Sequence, residues 1–174
     1  MFISLSKHTQ LTHSNALCDA LLPYFNNVEF NNPVAITLTL KKVVTTSDEG
    51  VRRQSFLDVI KTTQNIRYFL NRLNVKIYKN SFRRFGKRLK VIPIIEGDKN
   101  IHPHVHFTFD MPTHLTDDEF IQLVRACWGQ TLFGYHQHNF TRIYDLNGWL
   151  GYKLKTRTKD DYARSVDWEN INLN

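Results

Sequence analysis

A stretch from Arg53 to Tyr78 contains no glycine and no proline, and it is the feature that most limits how this chain can fold. Its apolar residues recur at intervals that place them along one side of an α-helix: Phe56, Val59, Ile60, Ile66, Leu70, Leu73 and Ile77. A long helix with one apolar stripe needs another layer to pack on. We therefore predict one long helix over 53–78 that lies against a sheet.

Four shorter segments have the composition of β-strands, because they are rich in β-branched and aromatic residues and several of them alternate apolar with polar positions. These predicted strands cover 34–40, 89–95, 104–109 and 139–146. Pro93 lies inside the second of them and favours a position at a sheet edge or a bulge. Shorter helices are predicted over 13–25, 116–127 and 147–157.

The order of these elements predicts an α+β fold with a central antiparallel sheet. A turn-rich segment, Glu96-Gly97-Asp98-Lys99-Asn100, separates the second and third strands, which are therefore expected to pair antiparallel. Helices packed on one face of that sheet give the simplest architecture. The 174 residues suit a single domain, which we divide into an N-terminal helical extension over 1–32, a core over 33–157 and a C-terminal tail over 158–174.

The composition favours a globular domain that binds a polyanion. Lys and Arg total 23 against 16 Asp and Glu, which gives a formal net charge of +7. No apolar run approaches the roughly 20 residues that cross a bilayer, and no signal peptide is visible. The two cysteines, Cys18 and Cys127, cannot form a disulfide framework. We expect a cytoplasmic protein without a membrane partner, and the lack of a G-x-x-x-x-G-K-[ST] motif excludes a P-loop ATPase.

The sequence His104-Val105-His106 is the strongest candidate for chemistry. On a strand both imidazoles point to the same face, about 6 to 7 Å apart along the chain. Glu96 ends the preceding strand and is expected close to a cross-strand position. Two imidazoles and a carboxylate can bind Mn²⁺, Mg²⁺, Zn²⁺ or Fe²⁺ and do not select among them. His102 is a possible fourth ligand, and surface histidines without a ligand are the alternative interpretation.

Tyr152 and Lys155 form a second candidate. On a helix they lie at i and i+3 on one face. A cation close to a phenol lowers its pKa and stabilises negative charge on a phosphate oxygen. The pair therefore suits nucleophilic attack on a phosphodiester, although an ordinary half-buried tyrosine produces the same pattern.

A basic segment without acids covers residues 82–90. It contains five cations, Arg83, Arg84, Lys87, Arg88 and Lys90, and the aromatic residues Phe82 and Phe85. Cations bind phosphates, and aromatic rings stack on unpaired bases. The segment is thus a candidate surface for single-stranded DNA, with a merely solvated face as the alternative.

Taken together, these motifs resemble the HUH endonucleases, the rolling-circle replication initiators of plasmids and phages. That family has a strand with a Thr-bearing apolar motif, a His-hydrophobic-His strand and a helix with the nucleophilic tyrosine. The corresponding segments here are Ile36-Thr37-Leu38-Thr39-Leu40, His104-Val105-His106, and Tyr152 with Lys155. Segments around Leu70–Leu73, Arg84–Leu89, Ile95–Gly97 and Gly148–Tyr152 are similar to replication initiators of the bacterial phage and plasmid type, so the resemblance extends over roughly residues 34–170.

The resemblance implies a sheet of RRM-like, or ferredoxin-like, topology. It also implies sequence-specific nicking and rejoining of single-stranded DNA or an origin hairpin, with Mn²⁺ or Mg²⁺ at His104, His106 and Glu96. A single tyrosine, Tyr152, would form a 5′-phosphotyrosyl intermediate with help from Lys155. DNA contacts would come from the basic segment and from three further residues, Thr37, Thr39 and Lys153.

Many relatives carry a helicase domain, which this sequence does not contain. The resemblance therefore implies a separate helicase and a polymerase of a bacterial host, in whose cytoplasm the protein would act. The main alternative is a DNA-binding replication or copy-number regulator that keeps the fold without cleaving. A metal-independent phosphoesterase with two His-x-Thr or His-x-Ser motifs is a weaker alternative, suggested by His106-Phe107-Thr108.

Overall fold

The structure is a computed structural model that describes Phe25 and residues 28–48, 50–97, 102–153 and 165–174. The described residues form six strands and four helices in chain order. These are β1 Pro33–Leu40, β2 Val43–Asp48, β3 Val51–Phe56, α1 Val59–Tyr78, α2 Asn80–Phe85, β4 Val91–Glu96, β5 His104–Asp110, α3 Asp117–Gly129, β6 Gly134–Arg142 and α4 Leu146–Lys153.

Four of the strands form an antiparallel sheet in the order β4-β5-β1-β6. The predicted α+β class and the antiparallel sheet are therefore confirmed. The predicted hairpin is also present, as β4 and β5 with Glu96 opposite His104. Pro93 lies in β4, at one edge of the four-stranded sheet, as its missing N–H requires.

One face of the sheet carries the larger apolar core. Alternate side chains of β1 and β5, including Ile36 and Phe107, pack against α1 and α3 there. Phe69 of α1 and Trp128 of α3 make edge-to-face ring contacts with each other and with Phe107. This packing makes the layer of α1 and α3 the rigid backing of the sheet.

The opposite face carries a second, smaller cluster, and here the structure differs from the prediction that the helices lie on one face. Leu150 of α4 is fully buried against Ile92 and Ile94 of β4, together with Phe25 and Val166. Because strand residues alternate between faces, these even-numbered isoleucines point away from α1 and α3. The helix α4 therefore covers the face to which His104 and His106 also point.

Residues 165–174 run along the outer edge of β4, although the sequence suggests a polar tail. Backbone hydrogen bonds join Val91 to Asn172 in both directions, at 2.7 and 3.1 Å, and the amide of Ile95 donates to the carbonyl of Ser165 at 2.6 Å. The segment thereby satisfies the N–H and C=O groups that an edge strand would otherwise leave open.

The long helix begins six residues later than predicted, because residues 51–56 belong to a β-hairpin that the sequence interpretation missed. The pairing of β2 with β3 runs from Val43–Phe56 to Asp48–Val51. Asp58 is the N-cap of α1, and its carboxylate accepts the amide of Lys61 at 2.7 Å. Phe56 fits the helical spacing but belongs to β3, so the apolar periodicity alone placed the start of the helix too early.

The remaining predicted elements agree with the structure apart from their ends. Thr116 caps α3 and forms a capping box with Glu119, as the sequence indicates. The last strand begins at Gly134, five residues before the predicted start. The helix predicted over 13–25 lies outside the described residues except for Phe25. Among the described residues, no helix combines the length and apolarity needed to cross a bilayer.

Candidate metal centre

The hairpin of β4 and β5 brings three metal-ligating side chains together. Glu96 is directly opposite His104, and His106 follows on the same face of β5. Gly97 then turns the chain with a φ of 141°, and a Cβ there would lie 2.7 Å from the Cα of Pro103. Only glycine tolerates both conditions, so Gly97 fixes the position of Glu96 at the end of its strand.

The three ligand atoms lie at nearly equal distances from one another. The Nε2 atoms of His104 and His106 are 3.2 Å apart, and Glu96 Oε2 lies 3.2 and 3.0 Å from them, respectively. Ligand atoms that are each about 2.1 Å from a common ion, at angles of about 90° to 110°, would be about 3.0 to 3.4 Å apart. The three residues therefore fit a divalent ion, and they form the one such group among the described residues.

The partners of the other ring nitrogens also suit a metal site. His104 Nδ1 lies 2.8 Å from the carbonyl oxygen of His102, which can only accept, so this nitrogen carries the proton. His106 Nδ1 lies 2.8 Å from the hydroxyl of Thr37. Metal-bound histidines characteristically donate their second N–H to such a group. With the proton on Nδ1, neutral His104 directs its Nε2 lone pair at the centre of the triad. If His106 Nδ1 donates to the Thr37 hydroxyl, the Nε2 lone pair of His106 is directed there as well.

The two histidines have opposite pKa shifts. The hydrogen bond to Glu96 raises the pKa of His104, and the carbonyl of His102 adds to this effect. Burial lowers the pKa of His106, and the nearby Lys153 adds to that effect. His106 is therefore neutral at pH 7 and ready to bind an ion, whereas a proton and an ion compete for His104.

Two contacts hold the helix α4 over this face, and their separation along the helix matches the separation of their partners along β5. Trp149 Nε1 donates to the hydroxyl of Thr108 at 3.3 Å, and Lys153 Nζ lies 3.3 Å from His106 Nε2. Four residues of helix rise about 6 Å, and two residues of strand advance about 6.6 Å. Asp145 starts the helix by accepting the amide of Gly148 at 2.9 Å. The last turn of α4 is thus brought to the triad.

Tyr152 is accessible and lies next to the lysine that contacts the triad. Lys153 Nζ lies 5.4 Å from the centre of its ring, while the same ammonium group contacts His106. The residue is 66% exposed, so a phosphate could reach the phenol. Lys155, the predicted partner of this tyrosine, lies outside the described residues. The lysine that the structure brings to the triad is Lys153, which the resemblance implied only as a DNA contact.

The two threonines of β1 differ in their roles. Thr37 supports His106, as described above, and this use of its hydroxyl was not foreseen. Thr39 is opposite His104 in the sheet, and its hydroxyl donates to the carbonyl of Gln137 at 3.0 Å. Both therefore border the triad, where the resemblance implies DNA contacts.

The other histidines of the described residues do not join the triad. His102 contributes its carbonyl, while its ring lies 5.9 Å from that of Tyr135. The chain does contain a second His-x-Thr, His114-Leu115-Thr116. Thr116, however, caps α3 and lies beyond the far end of β5 from His106, which disfavours the two-histidine phosphoesterase.

The basic segment lies far from the triad. It begins within α2, a helix without a buried residue, and ends at Lys90, just before β4 starts at the end opposite Glu96. Six residues of strand separate Lys90 from Glu96 by about 20 Å. Three of its predicted DNA contacts have partners within the protein: Lys87 lies over Tyr78, Arg88 binds the side chain of Asn71, and Lys90 binds the carbonyl of Glu29. Arg83 and Arg84 are exposed in the last turn of α2.

Comparison of the chain with protein-family models, with curated proteins and with solved structures finds no match.

Proposed function

We propose that this protein is a metal-dependent DNA nicking and strand-transfer enzyme of the HUH type, which initiates rolling-circle replication. One observation carries the proposal: a His-x-His strand and a hairpin glutamate form a group that could hold a metal ion, and the helix whose Lys153 contacts His106 carries the exposed Tyr152 next to that lysine. A metal site alone is compatible with many functions. A tyrosine and a lysine beside it fit phosphodiester transesterification.

Glu96, His104 and His106 would hold the ion, and Thr37 and the carbonyl of His102 would orient the two rings. The nitrogen and oxygen ligands suit Mn²⁺ or Mg²⁺, which we take as the cofactor. A bound ion of this kind supplies Lewis-acid stabilisation of the charge that develops on a non-bridging phosphate oxygen.

In the proposed reaction Tyr152 Oη attacks the scissile phosphorus in line. An O–P bond forms to tyrosine as the P–O3′ bond breaks, and the phenol proton is balanced by the proton that the leaving 3′-oxygen takes up. The products are a 5′-phosphotyrosyl adduct and a free 3′-hydroxyl, which a polymerase can extend. Attack by a 3′-hydroxyl on the adduct reverses the step and rejoins the strand.

Lys153 takes the role that the sequence suggested for Lys155. Its ammonium group lies between the ring of Tyr152 and the imidazole of His106. A cation in this place neutralises a phosphate that approaches the triad. The same charge favours ionisation of the phenol during attack.

The strand order supports a ferredoxin-like topology as part of the proposal. With the β2–β3 hairpin set aside, the elements run strand, helix, strand, strand, helix, strand, since α2 only extends α1. In the sheet, the first strand lies between the third and the fourth. This arrangement is consistent with a ferredoxin-like sheet into which a hairpin is inserted after the first strand.

The proposed substrate is single-stranded DNA or the unpaired part of an origin hairpin, because the scissile phosphate must reach Tyr152 without a pairing strand. A separate helicase and polymerase of a bacterial host would then unwind and extend the DNA. This places the reaction in the bacterial cytoplasm.

The test is trapping of the adduct. Purified protein is incubated with Mn²⁺ and a pool of 3′-labelled single-stranded oligonucleotides, then separated on a denaturing gel. We expect a labelled band at the mass of protein plus the DNA on the 5′-phosphate side, absent without metal and absent in Tyr152→Phe. Tyr144→Phe is the matched control, because Tyr144 is 95% exposed and precedes α4. DNA binding without any adduct would support the non-cleaving regulator instead.

A further inference from the structure

The hairpin of β2 and β3 is a separate two-stranded ribbon. It pairs with no strand of the four-stranded sheet. Of its described side chains only Val44 is buried, and both strands are otherwise exposed or half-buried. A ribbon of two strands with no apolar face to bury is marginal as a structural element, so its presence calls for a functional reason.

The pairing register sorts the ribbon's side chains into two faces. One face carries Ser47 opposite Arg52 and Thr45 opposite Gln54, and the other carries Thr46 opposite Arg53. Within the described part of the chain, no hydrogen bond or ion pair engages the side chains of Arg52, Arg53 or Gln54. Hydroxyls, an amide and two guanidinium groups are thus presented to solvent in a fixed register.

The charge of the ribbon is positive. Residues 41–56 contain four basic residues and two acidic ones. Lys41 and Lys42 lie at its base, where backbone hydrogen bonds to Phe133 and Leu57 fix the connection at 2.8 and 2.9 Å. The net positive charge of the ribbon therefore complements a polyanion, and its polar side chains are held in a defined register.

The ribbon leaves the sheet at the end that holds the triad. Thr39 of β1 is opposite His104, and the amide of Leu40 donates to the carbonyl of Pro103 at 2.9 Å. The ribbon begins three residues later, at Val43, and each of its strands is about 17 Å long. Phe56 at its base is 62% exposed and can stack on a base that leaves a duplex.

We infer that the β2–β3 ribbon reads duplex DNA by lying in the major groove, beside the unpaired strand that reaches the triad. The major groove of B-DNA is about 12 Å wide and admits a two-stranded ribbon. The major groove of an RNA helix is too narrow for one, and single strands offer no groove. The inference rests on the proposed function only for the location of the cleaved strand.

The side chains suit base reading. Arginine binds guanine O6 and N7 with two hydrogen bonds, glutamine binds adenine in the same way, and serine and threonine contact several bases. Arg52 and Gln54 share a face and are two residues apart, so they would read neighbouring base pairs. The lysines at the base of the ribbon would bind the flanking phosphates.

The test is selection from a pool of fluorescein-labelled 30-base-pair DNA duplexes with 20 random central pairs. Binding is measured in EDTA by gel shift and then by anisotropy. We expect the native protein to enrich a guanine-containing motif and to bind it at least about tenfold tighter than the corresponding RNA duplex or either single strand. Arg52→Ala with Arg53→Ala should lose at least about tenfold in affinity for the selected duplex.

Two further variants separate base reading from general charge. Arg52→Lys with Arg53→Lys keeps the charge but cannot form the paired hydrogen bonds, so it should bind DNA without enriching the motif. Lys76→Ala with Arg125→Ala removes two exposed charges from α1 and α3, and its affinity should stay within about threefold of the native value. Replacing the selected guanine by 7-deazaguanine should weaken binding by the native protein but not by the alanine variant.

The inference is overturned if no duplex is enriched, if the alanine variant binds the selected duplex as the native protein does, or if the RNA duplex binds equally well. Because binding in EDTA requires no cleavage, the result does not depend on adduct formation. Ribbon-dependent duplex binding without an adduct would refute the proposed function alone. An adduct with ribbon-independent binding would refute this inference alone.

Discussion

Each end of the four-stranded sheet carries a candidate functional site in the sequence, but the side chains at the two ends are arranged very differently. At one end, side chains from β4, β5, β1 and α4 meet within hydrogen-bond distance of His106. At the other end lies the basic segment, with the densest run of positive charge but no buried residue in α2.

The comparison distinguishes a run of charged residues from a site that several elements form together. In the basic segment, Lys87 lies over Tyr78, and Arg88 lies over Phe82 and binds Asn71, all on the adjacent helices α1 and α2. At the triad, by contrast, side chains from β4, β5, β1 and α4 converge, and Thr37 and Lys153 lie 69 and 47 residues from His106 in the chain. Side chains that converge from several elements fix the geometry a reaction needs. A run of cations sets only the local electrostatic field.

The largest expected effect comes from removing a metal ligand. His106→Ala should lower the affinity for Mn²⁺ by more than about 100-fold, because even groups that only orient a ligand contribute about 10- to 100-fold. Isothermal titration calorimetry measures the change. His138→Ala is the control, since His138 is exposed on β6 and outside the triad. Equal losses in both variants would argue against the triad as the metal site.

A smaller effect is expected at the group that orients His106. Thr37→Val removes the hydroxyl 2.8 Å from His106 Nδ1 but keeps the shape of the side chain. We expect an affinity for Mn²⁺ that is about 10-fold lower. Thr39→Val, which loses a hydrogen bond to Gln137 instead, should keep the native affinity. A similar loss in both would indicate a general effect on β1.

The pH dependence of metal binding should follow His104. Its pKa is raised above 6.5 by Glu96, so its protonated fraction grows already as the pH falls through a value above 6.5. Affinity for Mn²⁺ should therefore be full at alkaline pH and fall by up to about tenfold per pH unit below the raised pKa. His106, whose pKa is lowered, adds a second loss only at more acidic pH. Titrations from pH 8.5 downwards would show the loss due to His104 before any loss due to His106, and a pH-independent affinity would contradict this order.

The smallest expected effect lies at the other end of the sheet. Arg83→Ala with Arg84→Ala should weaken DNA binding by only about threefold, equally for all sequences, and should reduce the salt dependence by no more than about two counterions. Anisotropy at several salt concentrations measures both quantities. A larger loss confined to one selected sequence would show that the basic segment reads bases and would remove the contrast between the two ends.

Much of the site could be predicted from short-range rules. Alternation along a strand places His104 and His106 on one face, and the turn residues after Glu96 bring it opposite to them. The role of Lys153 could not be predicted, because it depends on where Trp149 docks α4 along β5. Spacing within a helix indicates which residues share a face but not which strand residue that face will meet.

The fold was predicted less completely where two signals competed. The helical apolar spacing continues towards the N-terminus through Ile60, Val59 and Phe56. It therefore gave no indication of the ribbon or of the helix start at Asp58. The packing of residues 165–174 on β4 also escaped prediction, because its backbone hydrogen bonds leave little trace in the side-chain pattern.

That last segment has a consequence for the order of events on the ribosome. The strand that carries Glu96 is synthesised about 70 residues before Val166 and Asn172, which border its outer edge. Until they emerge, a nascent chain offers the open N–H and C=O groups of β4 to any other strand in the vicinity. The strand that carries Glu96 therefore has its outer edge covered only at the end of synthesis, and a chain that stalls before position 165 would be prone to aggregate.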